Sequence, residues 1–213
     1  MAGTEKLEGK VLSRSLEMLN DVTNTLEYFG IRCSLDGGTA LGVIREGRLL
    51  PWDTDMDIAI DATELKKLKL ALWMLFFKGY RVRTRRLFKA TEPLAKNAVR
   101  VVKVWRRKWL FLKGPEMLDI FVRYKKDDMC YWVLGGNKKS QVTIVNSMPA
   151  IFHDELKKIA FNNKDFFVAA DEDGFLTYRY GDWRTPVKEW NAFEHDGAIL
   201  TSIANRQSTP PAA

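Results

Sequence analysis

Asp53, Asp55 and Asp57 stand at alternate positions in the run Pro51-Trp52-Asp53-Thr54-Asp55-Met56-Asp57-Ile58. In an extended chain, alternate side chains leave the same face with Cβ atoms roughly 6–7 Å apart, so Asp55 and Asp57 share a face and Asp53 can continue the row. Without a counter-charge, such a row repels itself and raises the pKa of one or more members. A divalent cation removes the conflict, and two or three carboxylates completed by phosphate oxygens and water are what Mg²⁺ prefers. A further acid from another strand would complete the set. Asp119 is the candidate, a lone charge in the apolar run Met117-Leu118-Asp119-Ile120-Phe121-Val122. A carboxyl in a core strand is costly unless it is paired or coordinates metal; a strand-end or capping role is the plainer alternative. Asp55, Asp57 and Asp119 are therefore expected to hold Mg²⁺ or Mn²⁺.

Upstream of the row lies the glycine pair Gly37-Gly38. Glycines after a strand let the backbone turn tightly and bring amide N–H groups close to a ligand, and a helix that starts there adds its positive end. Phosphate is the natural guest of such a turn, although an ordinary turn has the same composition.

These residues need particular elements to position them. Leu7, Val11, Leu12, Leu16, Leu19, Val22, Leu26 and Phe29 recur at three- and four-residue steps and predict a helix that Gly30 ends. Residues 31–36 read as a short buried strand feeding Gly37, and residues 39–47 as a brief helix closed by Gly47. Residues 55–60 read as a strand with Met56, Ile58 and Ile60 on one face and the aspartates on the other. A helix follows over 62–79, with Leu65, Leu68, Leu72, Leu75 and Phe76 on its inner side and Gly79 as its stop. Residues 80–88, 98–107, 108–114, 116–124 and 130–135 are strand candidates. Residues 157–169 predict a hairpin around Asn162-Asn163, and residues 171–183 a short capped helix ending at Gly181. The expected class is mixed α/β (α+β), in one unit over 1–205 with a disordered tail at 206–213.

The string Asp36-Gly37-Gly38-Thr39 through Pro51-Trp52-Asp53-Thr54-Asp55-Met56-Asp57 resembles the LicD and fukutin group of the nucleotidyltransferase superfold. Asp119-Ile120-Phe121 is similar to that group's later Asp-Ile-Phe strand, and Tyr180, Gly181, Trp183 and Pro186 to its closing element. Thr54 stands where many bacterial members carry another aspartate, and by alternation it points away from the metal face. The resemblance implies a nucleotidyltransferase-like mixed β-sheet flanked by helices. It also implies transfer of phosphocholine or a polyol phosphate from a cytidine diphosphate (CDP)-activated donor to a glycan hydroxyl. Asp55, Asp57 and Asp119 would bridge the donor diphosphate through the metal, and Asp53 or one of the metal-site aspartates would take the acceptor proton. Gly37, Gly38 and Thr39 would contact phosphate, Arg45 and Lys103 would neutralise it, and Trp52 would stack on the donor's base or sugar or else brace the loop.

Composition narrows the alternatives. A net charge of +7 and a pI near 9.4 favour an anionic partner. Cys33 and Cys130 lack CxxC spacing and there are only two histidines, which argues against a zinc site or a disulfide framework. Neither histidine is assigned a role; His195 reads as a surface hydrogen-bonding group. The polar start lacks a signal-peptide apolar segment, and no window approaches the roughly 18 apolar residues of a membrane span. The default expectation is cytoplasmic, with the secretory pathway open if the chain is trimmed from a longer protein. Two rivals stand beside the phosphotransferase reading. One is a nucleotidyltransferase acting on RNA or a small molecule, supported by Arg81, Arg83 and Arg85 on one strand face. The other is an inactive nucleotide-binding member of the fold. The lack of a recognisable RNA-binding module argues against nucleic acid as partner.

Overall fold

The computed structural model describes residues 5–109, 112–136, 142–187 and 190–204. The chain runs through α1 (Gly9–Tyr28), β1 (Cys33–Leu35), α2 (Gly37–Glu46), β2 (Met56–Asp61), a 3₁₀ turn (Ala62–Glu64) and α3 (Leu65–Phe77). Strands β3 (Tyr80–Arg86), β4 (Val99–Lys108), β5 (Leu112–Lys126), β6 (Met129–Gly135) and β7 (Val142–Pro149) follow. The last elements are α4 (Ile151–Asp154), β8 (Leu156–Phe161), β9 (Lys164–Ala169), α5 (Glu172–Tyr180) and β10 (Ile199–Ala204). The strands form one mixed sheet in the order β10-β7-β6-β5-β2-β1-β9-β8, with β4 on β5 and β3 on β4 as a side branch. β2 pairs with β5, and β1 with β9, in parallel.

Alternation decides what each face carries. Met56, Ile58 and Ile60 are fully buried, and the register aligns them with Leu118, Ile120 and Val122 of β5. Val102 and Val104 extend the same face on β4. These residues join Leu19, Val22 and Leu26 of α1 and Leu68, Ala71 and Leu75 of α3 in one core. Each large apolar side chain buried there contributes about 1.5–3 kcal/mol, and a one-residue slip of β2 would expose all three of its own while burying its acids in their place. The apolar face thus holds the acidic face in register against its own repulsion.

The predicted elements from α1 to α3 are present, as are the hairpin with Asn162 and Asn163 at positive φ and the helix capped by Asp171, whose side chain accepts from the Gly174 amide. Residues 108–114 are not a separate strand. Lys108 ends β4 and Leu112 opens β5, which runs through Pro115 because the ladder shifts register there and asks no N–H of it. Phe76 lies on the outer side of α3, 40% exposed, while Ala71 takes the inner position. β7 and β10 lay outside the expected elements. In β7 the buried polar residues Asn146 and Ser147 mask the apolar pattern. The tail at 206–213 is outside the described residues. Both cysteines are buried and free, and no helix among the described residues is long and apolar enough to cross a membrane.

His195 is exposed and its Nδ1 accepts from the Asn191 amide. His153 differs: it is buried, with Nε2 3.8 Å from Asp61 Oδ2. Burial, then the Arg123 charge, lowers its pKa to about 4 despite the opposing pull of Asp61, Asp154 and Asp36. The unfolded chain therefore takes up this proton first as pH falls. His153's contribution is intact above pH 6.5 and is lost between 6.5 and about 4, amounting to about 3 kcal/mol by the latter. In an NMR titration the His153 ring should change protonation state near pH 4; a midpoint near 6.5 would contradict the buried placement.

Candidate active site

The register of four strands builds the site. Parallel pairing places Asp57 of β2 opposite Asp119 of β5, antiparallel pairing places Lys103 of β4 opposite Asp119, and β3 places Arg83 opposite Lys103. The result is a transverse row of two acids and two bases on the face away from α1 and α3. Asp55 immediately precedes β2, and oxygens of Asp55, Asp57 and Asp119 lie within 4.8 Å of one another. The acids of separate strands therefore meet. Leu7 ties the preceding loop down, its amide donating to the Asp53 carbonyl at 2.8 Å.

The glycine pair makes room for these acids. Gly37 has φ +54°, and a Cβ there would overlap Asp57 Oδ2; a Cβ on Gly38 would overlap Asp53 Oδ2. Thr39 is buried and its hydroxyl accepts from the Asp57 amide at 2.9 Å. Its place is beneath the acidic strand, where it holds Asp57, whereas Gly38 lines the open cleft.

Burial and mutual repulsion shape the electrostatics. Burial, then the Asp55 charge, pushes Asp53 up to about 6. Burial, then Asp119, pushes Asp55 to about 6 against the pull of Lys103. Asp57 is driven well above the usual carboxylate range by burial and by Asp55, Asp119, Asp36 and Asp53. Asp119 is raised by burial, although Lys103 opposes this through its charge and a hydrogen bond to Oδ2. Asp119 Oδ1 is buried and has no hydrogen-bond partner. An orphaned carboxylate oxygen beside two further carboxylates is the donor set of a hard divalent cation, so the residues fit Mg²⁺ or Mn²⁺.

The acids open into a cleft of about 1050 Å³. Trp52, 47% exposed, lines it and does not serve as a buried brace. Arg45 also reaches the cleft, but its guanidinium is engaged by Glu46 at 2.7 Å and by the Trp183 carbonyl at 3.1 Å. Lys103 is likewise committed to Asp119. Arg100 is the cation that sequence reasoning missed. It is 7% exposed, lines the cleft, and its Nε has no hydrogen-bond partner. Burial, then Arg85, lowers its pKa to about 10. Uninterrupted alternation would send Arg100 toward the core with Val102. The register shift opposite Arg85 and Arg86 turns it to the cleft instead. The signal available in sequence was the one that identified Asp119, a lone charge in an apolar run, Ala98-Val99-Arg100-Val101-Val102.

Behind the acids lies a second charged set. Asp36, at the start of α2, binds Arg123 through Oδ2 and Arg179 Nη1 through Oδ1 at 3.0 Å. Arg179 also donates from Nε to Asp196 at 2.8 Å, and the Arg123 guanidinium lies 3.6 Å from the centre of the Trp132 ring. All four charged residues are buried, and their charges cancel.

A family model described as the LicD/FKTN/FKRP nucleotidyltransferase domain matches residues 30–186. The chain is 22% identical over 220 residues to lipopolysaccharide cholinephosphotransferase LicD of Haemophilus influenzae, covering 86% of this chain and 80% of that protein. It is 23% identical over 176 residues to an uncharacterised protein of Rickettsia typhi, covering 83% of this chain and 48% of that protein. It is 46% identical over 39 residues to the human ribitol 5-phosphate transferase FKRP, a stretch that is 18% of this chain and 8% of that protein. The chain thus spans about half the length of the Rickettsia relative and a small part of FKRP.

Removing one of the crowded charges should stabilise the cation-free fold. In the presence of chelator, Asp57→Asn should raise the thermal midpoint by at least about 2 °C, the shift that ~1 kcal/mol produces in a chain of this size. A midpoint lowered by the substitution would mean that Asp57 is satisfied by contacts other than a cation.

Proposed function

The chain belongs to the LicD/FKTN/FKRP nucleotidyltransferase-domain family, and from that membership and the cleft we propose a metal-dependent transferase that moves a phospho-alcohol from a CDP-activated donor to a glycan hydroxyl. The observation that carries the reading is the alignment of Asp57 with Asp119 across β2 and β5, with Asp55 in ligand reach and Asp119 Oδ1 unpartnered. The names of its relatives, a cholinephosphotransferase and a ribitol 5-phosphate transferase, support a substituted phosphate as the group transferred.

In this reading Asp55, Asp57 and Asp119 hold Mg²⁺ or Mn²⁺. The cation, when bound, offsets the charge of the donor diphosphate. Arg100 lines the cleft and offers its guanidinium to a phosphate oxygen, a charge-assisted contact. Lys103 stays on Asp119 Oδ2 and leaves Oδ1 for the cation. Trp52 offers its exposed ring to the cytosine or to the donor's sugar. The acceptor hydroxyl attacks the phosphorus that bears the alcohol, a new P–O bond forms, the P–O bond to cytidine monophosphate (CMP) breaks, and CMP leaves with the electron pair. Asp53, which lines the cleft beside the metal-site acids, takes the hydroxyl proton.

The test is mass spectrometry of products after incubation with Mg²⁺, CDP-choline, CDP-ribitol or CDP-glycerol, and a glycan panel. CMP and a phospho-alcohol glycan should form together, and Asp55→Asn, Asp57→Asn or Asp119→Asn should abolish transfer. Arg100→Met should lower it ~10²-fold, the usual effect of losing one preorganised donor. Near-normal turnover in any of the three aspartate variants, or nucleotide addition to RNA with no transfer from a CDP-alcohol, would overturn the proposal.

A further inference from the structure

Away from the cleft, α3 turns apolar side chains to solvent. Leu70, Trp73 and Phe77 are 59%, 64% and 77% exposed, at three- and four-residue steps along one stripe. The Trp73 ring stacks on Phe77 at 6.3 Å and meets Phe76 edge-on at 6.5 Å. The adjoining ends of β4 and β5 continue the patch. The Arg107 amide donates to the Gly79 carbonyl at 3.0 Å, its guanidinium lies 4.7 Å from the centre of the Phe76 ring, and two residues beyond it Trp109 is 83% exposed.

The charges around this patch are of one sign. Lys66, Lys69, Lys78 and Lys108 are exposed, and neither α3 nor the stretch 105–113 contains an acidic residue. The neighbouring acids Glu64 and Glu17 are engaged, by Lys67 and Arg106, each at 2.8 Å. A second copy of the chain is a poor occupant, because a two-fold interface sets the same patch against itself and would bring these lysines together. An aromatic and aliphatic stripe flanked by lysines has the composition of helices that lie in the boundary of a bilayer, with rings among the acyl chains and ammonium groups at anionic headgroups.

We propose that the outer face of α3, with the adjoining end of β4, docks on an anionic lipid surface. The inference rests on this surface alone and stands or falls apart from the phosphotransfer reading.

The full chain should co-sediment with vesicles of phosphatidylcholine containing about 30% phosphatidylserine and poorly with phosphatidylcholine alone. Raising salt from about 0.05 M to about 0.5 M should weaken the binding. Trp73→Ala with Phe77→Ala should weaken it at least ~10-fold without lowering the thermal midpoint, since both side chains lie in solvent, and Lys66→Glu with Lys69→Glu should abolish the preference for anionic lipid. Failure to bind these vesicles, or equal binding by the aromatic double variant, would overturn the proposal. So would a dimer in sedimentation equilibrium that the same variant dissolves, because the patch would then belong to a second copy.

Discussion

Like charge held at close quarters is the constraint on which this structure turns. Three carboxylates with oxygens within 4.8 Å of one another, and a fourth beside them, occupy a face where burial magnifies repulsion. Nothing in the acids themselves favours that arrangement. It is imposed from the opposite face, where Met56, Ile58 and Ile60 align with Leu118, Ile120 and Val122 and are excluded from water. The glycine pair before α2 removes the methyl groups that would collide with Asp53 and Asp57. Lys103 supplies one counter-charge and leaves Asp119 Oδ1 buried without a hydrogen-bond partner.

The buried set of Asp36, Arg123, Arg179 and Asp196 answers a different need. Asp36 lies one residue before the glycine pair, and its amide donates to the Asp57 carbonyl. An uncompensated carboxylate there would add to the repulsion in the cleft. Two arginines neutralise Asp36 and in turn join β5, α5 and the segment before β10 to the start of α2. Buried ion pairs contribute little net stability against their desolvation cost. Their effect here is positional: α5 leads directly into Trp183, whose carbonyl receives Arg45 at the rim of the cleft.

Much of this was legible in the sequence because it is local. Alternating aspartates, a lone charge in Leu118-Asp119-Ile120, the Asn162-Asn163 turn and the span from Asp171 to Gly181 each declare themselves within a few residues. Membership of the family followed from the same short motifs and agrees with the match over residues 30–186. Other features were not legible, for physical reasons. Arg100 reaches the cleft only because a register shift reverses the alternation that periodicity assumes. Arg179 meets Asp36 across more than a hundred residues, which no local pattern encodes. Thr39 accepts from the Asp57 amide, and Arg45 and Lys103, though they line the cleft, also hold Glu46 and Asp119, partners that no local pattern announces. Phe76 and Trp73 break the rule that large apolar groups turn inward; the surface they form is the part of the molecule least explained by the core.

The most direct measurement is calorimetric titration of the chelator-treated protein with Mn²⁺, repeated on Asp119→Asn. A crowded acidic face that exists to hold a cation should bind one Mn²⁺ per chain, and loss of the Asp119 charge should abolish the heat while the fold persists. No saturable heat from the wild-type chain, or an unchanged isotherm in the variant, would mean that the repulsion among these aspartates is relieved by protonation alone and that no metal centre exists there.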